Sequence, residues 1–494
     1  MNARLPSAAL DPALALRQVT DQWDGDIIRQ LRDYIAIPAK SPAFDADWQA
    51  HGLLDTVVRQ AAAWVAAQKV PGLTLEIVQL PGRTPVLFFE VAATRPASAP
   101  GPTVLMYGHL DKQPEFTGWR SGLGPWTPHY EDGRLYGRGG ADDGYAVYAA
   151  IAAIQALQAQ NVPHPRIVGL IETCEESGSH DLLPYIEALR APGNNRLGDV
   201  GLVICLDSGA GNYDQLWLTT SLRGMASGTL RVEVLTEGVH SGDASGLVPS
   251  SFRILRHLLD RLEDSATGRL LPKSFHCEIP AERLAQAQVT AGILGEELYK
   301  RFPWAHYDCG GASVQTLPTT TDPVEALLRR TWVPTLSVTG ADGLPELKNA
   351  GNVLRPATAF KLSLRLPPLV DAAASVQALK TLLEDNAPYQ ARVTFHPDGA
   401  ATGWNAPETA PWFGQALDAA SLAHFGAPCG YIGQGGTIPL MNLLSEGFPT
   451  AQMMVCGVLG PKSNAHGPNE FLHVPYAKKL TAAVAQVIAA VPAV

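Results

Sequence analysis

Seven side chains of types that hold metals or move protons stand just past apolar runs or in Gly-rich turns: His109, Asp111, Asp142, Glu175, Glu176, Asp207 and His466. His109 and Asp111 follow the apolar run "TVLMYG", Glu175 and Glu176 follow "RIVGLIET", and Asp207 follows "GLVICL". Asp142 sits in "GRGGADDG", a Gly-rich turn before an Ala-rich helical stretch, and His466 lies ten residues beyond "MMVC". In open α/β sheets ligands bind outside the carboxyl ends of the strands. Each residue taken singly reads as structural; gathered at equivalent strand ends they point to a site.

The adjacent carboxylates Glu175 and Glu176 repel one another, which leaves two readings. One is a solvated acidic turn. The other is a division of labour, with one carboxylate on a metal and the other moving a proton. Imidazole plus carboxylate without thiolate suits zinc or a similar first-row cation. A carboxylate can bridge two cations, and two cations can clamp both nucleophile and oxyanion. Asp111, two residues past His109, is placed to orient the second ring nitrogen of that histidine.

These residues need a scaffold. Helical spacing is expected over 26–37, 51–68 and 145–158, with strands "LTLEIVQL", "PVLFFEVAA", "TVLMYGHLD", "RIVGLIET" and "GLVICLDS" among them. Strands without polar alternation belong to a sheet covered on both faces. Near residue 220 the pattern changes. "SGTLRVEVL" alternates polar and apolar residues, a helix follows at 249–262, then strands "PTLSVTG" and "AFKLSLRL", a helix near 371–385 and strand "ARVTFHP". Strand–helix–strand–strand–helix–strand describes an α+β layer of ferredoxin-like type. The stretch 264–330 exceeds what that layer needs and has no assigned role. A helix at 411–425 and strand "AQMMVCGV" resume the first pattern. The reading is therefore one α/β domain, 1–219 and 399–494, interrupted by a second domain, 220–398.

Composition narrows the function. A chain of 494 residues, 46% hydrophobic, exceeds one ordinary core. A formal net charge of −10 argues against nucleic acid or an anionic membrane surface as the main partner. No window of 18 residues is continuously apolar, and the N-terminus does not read as a signal peptide. The six cysteines include no CxxC pair and read as reduced thiols of a cytoplasmic protein.

Taken together, "HLD" at 109–111, "GRGGADD" at 137–143, "EESGS" at 175–179, "VHSG" at 239–242 and "NAHGPNE" at 464–470 resemble, in order, the motifs of the di-zinc peptidase family. That family holds carnosinase-like dipeptidases, peptidase V and T types, aminoacylase-1 and glutamate carboxypeptidases. The resemblance implies a zinc-peptidase-type catalytic domain with an inserted lid that also mediates dimerisation. It implies two divalent ions per chain, zinc by default with manganese or cobalt as alternatives. His109 and Asp207 would hold one, Glu176 and His466 the other, with Asp142 bridging and a cis peptide at Asp142–Asp143. Glu175 would be the general base for metal-activated water. His240 would reach the partner subunit's site in a homodimer and stabilise the oxyanion. Asn352 and Arg365 match substrate-contacting positions of the lid, and Gly435, Gly436 and Thr437 match a Gly-rich loop near the substrate. Two departures stand out: "DDGY" replaces the family's frequent "DDKG", and Cys174 occupies a position where a small residue is frequent.

The implied function is hydrolysis of dipeptides or short peptides. An amidase or deacylase acting on N-acyl amino acids is the alternative, and a non-catalytic binding protein is a third reading.

Overall fold

The computed structural model describes residues 9–436 and 439–493. The chain divides into two compact units, Met1–Thr219 with Ala406–Ile432 and Leu443–Val494, and Thr220–Asn405 with Gly433–Asn442. Ten strands build the two principal sheets: β1 (Leu73–Val78), β2 (Val86–Val91), β3 (Thr103–His109), β4 (Ile167–Glu172), β5 (Val200–Cys205), β6 (Gly224–Glu233), β7 (Thr335–Asp342), β8 (Ala357–Leu366), β9 (Arg392–Ala401) and β10 (Gln452–Val455).

The sheet of the first unit has the order β1-β2-β4-β3-β5-β10. β4, β3, β5 and β10 run parallel, and β1 and β2 form an antiparallel extension. Every residue of β3 and β4 is buried, as the unbroken apolar runs required. Register matters for the site. His109 lies beside Glu172, and Tyr107 beside Cys205, so the chain leaves β3, β4 and β5 at one level. Helix Ala146–Ala159 is apolar nearly all round and is buried along most of its length.

The helix expected over 26–37 is part of a longer one. It begins at Pro12, passes through a π-helical turn at Trp23–Ile27 and ends at Ile35. Asp11 caps it, accepting the N–H groups of Ala13 and Leu14 at 2.9 and 3.1 Å, with Pro12 at the first helical position. The last helix, Val474–Ala490, is buried on most sides; its Ala-rich sequence had not been assigned.

The second unit holds an antiparallel sheet of order β7-β8-β6-β9. With helices Ser251–Leu259 and Ala372–Glu384 this is the expected ferredoxin-like arrangement. Leu230, Leu255, Leu362, Leu379 and Phe395 are fully buried members of its core. β9 continues through "PDGAA" to Ala401 with a bulge between Pro397 and Gly399, so the second unit reaches Asn405 where the sequence pattern had it end at 398. The stretch 264–330 forms two short hairpins, a 3-10 turn at Lys273–Phe275 and three α-helices, Ala281–Leu294, Glu297–Lys300 and Pro323–Thr331. Among the described residues no helix is long and apolar enough to cross a membrane.

Candidate metal centre

His109 ends β3, Asp207 follows β5 by two residues, and Asp142 lies in the turn Gly140–Gly144 ahead of the Ala146–Ala159 helix. Gly139 enters that turn at φ +80°, and a Cβ there would fall 2.7 Å from Cγ of buried Lys112. Lys112 in turn donates to the carbonyls of Tyr34 and Ile37, both at 2.7 Å, pinning the end of the first helix to the "HLDK" segment. The Asp142–Asp143 peptide is cis.

The side chains converge as two overlapping groups, His109–Asp142–Asp207 and Asp142–Glu176–His466, each with its donor atoms within 4.8 Å of one another. His109 Nε2 lies 3.5 Å from Asp142 Oδ1 and 3.9 Å from Asp207 Oδ2. His466 Nε2 lies 2.9 Å from Asp142 Oδ2 and 3.3 Å from Glu176 Oε2. Asp142 thus offers one oxygen to each group. His109, Asp142 and Asp207 are buried, whereas the His466 side chain is half-exposed.

The donor set fits divalent cations. Buried His109 Nε2 has no hydrogen-bond partner, yet it faces two carboxylates. Burial, and after it the charge of Asp207, pushes the Glu175 carboxyl well up. Burial and the charge of Asp142 do the same to Glu176. Burial brings Asp207 to about 7. Burial also opposes ionisation of Asp142, but His109 and His466 overcome it and hold that carboxyl below its usual range. A buried anionic cluster of this kind is relieved by bound cations, with zinc and its neighbours suited to imidazole and carboxylate.

Asp111 acts through both its carbonyl and its carboxylate. The nearer partner of His109 Nδ1 is the Asp111 carbonyl at 3.1 Å, with the carboxylate Oδ1 at 3.4 Å. The carboxylate accepts the N–H groups of Glu175 and Glu176 at 3.2 and 3.0 Å, fixing the loop after β4. Glu175 belongs to neither donor group and stands beside them. Three residues inside the quoted motifs or next to them had been given no role. Gln113 Nε2 donates to Glu176 Oε2 at 2.6 Å. Arg138 pairs with Glu470, both fully buried, and donates to the carbonyls of His466 and Gly467 at 3.0 Å. Charged residues inside Gly-rich motifs were the available signal.

The remaining predicted residues lie in the second unit. His240 and Asn352, far apart in sequence, are neighbours: His240 pairs with Val353, and Ser241 N–H donates to the Asn352 carbonyl at 2.9 Å. His240 is exposed, and its Nδ1 accepts the Gly242 N–H at 3.1 Å. Arg365, on β8, lies opposite Thr335 and Met225. Gly435 accepts from Arg223 Nε at 3.3 Å, and Gly436 is exposed. Thr437 lies outside the described residues.

Imidazole and carboxylate donors gathered beyond the carboxyl ends of parallel strands and in the adjoining turns define a candidate metal centre. The sequence profile of Peptidase family M20/M25/M40 matches residues 105–490, and the chain belongs to that family. As a metallopeptidase of this family it works with divalent metal ions. Among curated proteins it is 27% identical to a cysteinylglycine-S-conjugate dipeptidase of Corynebacterium striatum, over 85% of this chain and 88% of that protein. It is 25% identical to the Beta-Ala-His dipeptidase of Homo sapiens, over 87% and 83% of the two chains. Among solved structures, the dipeptidase Dug1p of Saccharomyces cerevisiae shares the fold with a TM-score of 0.71 at 21% identity, over 98% of this chain and 99% of that one. Human carnosine dipeptidase 1 matches with a TM-score of 0.71 at 22% identity, over 98% and 100%.

Proposed function

We propose that the protein is a dipeptidase that hydrolyses the peptide bond of dipeptides or short peptides at a two-metal centre. The observation that carries this reading is the pair of donor groups sharing Asp142. His109 and Asp207 would hold one ion, Glu176 and His466 the other, and Asp142 would serve both. Zinc is the proposed ion, with manganese and cobalt as alternatives. When bound, such ions polarise the scissile carbonyl and make water more acidic at neutral pH.

The chain's own groups do the rest. Glu175 is the general base: it takes a proton from the attacking water and delivers it to the departing amine nitrogen, as the C–O bond forms and the C–N bond breaks. Asp111 holds the imidazole of His109 through its carbonyl and the Glu175–Glu176 loop through its carboxylate. From the second unit, His240 stabilises the oxyanion in the partner subunit of a homodimer. Asn352, Arg365 and the loop at Gly435, Gly436 and Thr437 contact the substrate. Arg365 takes the terminal carboxylate, for which a planar guanidinium is suited. Six free thiols suit residence in the reducing cytoplasm.

An N-acyl amino acid would be cleaved by the same chemistry. The curated relatives that match over most of this chain are named as dipeptidases, which favours the peptide. The test is a hydrolysis panel of free dipeptides, their C-terminal amides and N-acyl amino acids with defined metals. Free dipeptides are expected to be cleaved fastest. Preferential cleavage of N-acyl amino acids would overturn the reading.

A further inference from the structure

Every glycine around the turn that carries Asp142 is pressed by one of three side chains. Residues 137–144 read "GRGGADDG", with glycines at 137, 139, 140 and 144. A Cβ at Gly137 would fall 2.3 Å from Ile35 Cγ2, and one at Gly140 2.9 Å from Ile35 Cδ1. At Gly139 it would fall 2.7 Å from Lys112 Cγ, and at Gly144 2.1 Å from Tyr34 Cε1. The four positions make a cradle. The end of the first helix, Tyr34 and Ile35, lies in it together with the stem of Lys112. All three side chains are buried. This also accounts for the departure at Gly144: any side chain there, lysine included, would drive into the Tyr34 ring.

The same residues grip the segment that carries His109. Tyr34 Oη donates to the carbonyl of Leu110, the residue between His109 and Asp111, at 3.0 Å. Lys112 Nζ donates to the carbonyls of Tyr34 and Ile37 at 2.7 Å and lies 3.8 Å from the centroid of the Tyr34 ring. The last carbonyls of a helix have no partner within it, and a lysine can answer them. Those carbonyls and the ring face stand in for water around a buried ammonium. Interiors are close-packed, so a shift of this wedge is passed to the turn that encloses it.

We propose that Tyr34, Ile35 and Lys112 are positioning residues of the metal centre, a wedge that holds the Asp142 turn where its carboxylate can face both donor groups at once. The inference rests on the reading of Asp142 as the residue serving both ions and extends it to the first helix. The wedge touches no proposed ligand side chain. It acts through the backbone of the glycine cradle on one side and of Leu110 on the other.

The experiment is a competitive zinc titration that resolves two binding steps, run well below the unfolding temperature of each variant. Tyr34→Ala empties the cradle at Gly144 and should weaken both steps by about tenfold or more, the scale of lost support at a metal site. Tyr34→Phe keeps the ring in place and should bind zinc nearly as the wild type does. Lys112→Met removes the ties to the helix and should act as Tyr34→Ala does, in smaller measure. Wild-type affinity in folded Tyr34→Ala, or a loss confined to one step, would overturn the proposal. Where Tyr34→Ala does not fold, a paired substitution decides. Gly140→Ala should weaken both steps, and Ile35→Val, which deletes the methyl that the new Cβ meets, should restore them. No restoration would overturn the proposal. Hydrogen exchange on the metal-free protein needs no ion: amides of 139–144 should exchange faster in Tyr34→Ala and not in Tyr34→Phe. Unchanged exchange in Tyr34→Ala would overturn the wedge. If the wild type binds no zinc, the metal-centre reading fails, while the exchange comparison still decides whether the wedge holds the turn.

Discussion

Arg138 grips the backbone of His466: its Nη2 donates to the His466 carbonyl at 3.0 Å, and to that of Gly467 at the same distance. His466 itself sits at φ +64°, a backbone conformation that a non-glycine residue adopts rarely. The other end of the guanidinium meets buried Glu470, whose Oε1 accepts the Gly139 N–H at 2.9 Å. One arginine thus ties the turn carrying Asp142 to the loop carrying His466.

Arg138→Lys keeps a charge beside Glu470 but loses the fork. The donor group containing His466 should lose metal affinity by about 10- to 100-fold, the usual cost of removing a supporting hydrogen bond at a metal site. The group of His109, Asp142 and Asp207 should be affected less. Competitive metal titration resolving two binding steps checks this; equal weakening of both steps would show that Arg138 supports the fold in general. Glu470→Ala strands a buried cation and should cost about 3–5 kcal/mol in a denaturant titration.

Removing Asp142 should affect both ions. The wild type is expected to carry two divalent ions per chain and to lose activity on chelation. Asp142→Ala should lose both ions, since one carboxylate faces both His109 and His466. Full metal content in this variant, measured by elemental analysis, would rule out the bridge.

Glu175→Gln preserves size and polarity and removes the base. Turnover should fall by about 10²–10⁴-fold. Both ions should remain, because Glu175 lies outside both donor groups. Near-normal turnover would assign water activation to another group.

His240 is tested by mixing chains. Heterodimers of Glu175→Gln and His240→Ala carry one site with both wild-type residues if His240 acts across subunits. Some activity should return after subunit exchange. Demonstrated heterodimers without recovery would confine His240 to its own chain or exclude it.

The sequence pattern was readable where burial and periodicity agree. β3, β4 and β5 stand where unbroken apolar runs put them, and the donors follow their carboxyl ends because register leaves no alternative. The pattern failed where side chains contradict their polarity. In helix Ala281–Leu294, Arg283 is buried while Val289 and Ile293 are exposed, so the helical stripe reads inverted. In β9, "PDG" looks like a turn but is a bulge within a strand. At His109, spacing alone put Asp111 within reach. It did not distinguish the carbonyl, which lies nearer Nδ1, from the carboxylate, which holds the Glu175–Glu176 loop.

The interruption of the first unit by the second has a consequence for biosynthesis. His109, Asp142 and Asp207 all precede residue 220, so one donor group is complete before the second unit is synthesised. His466 and Glu470 are made only after the whole second unit, and β10 joins β5 late. N-terminal segments fold first during synthesis, and long-range pairings come last. The two donor groups therefore become complete in order: the His109 group is able to form before the second unit is made, and the His466 group only after it.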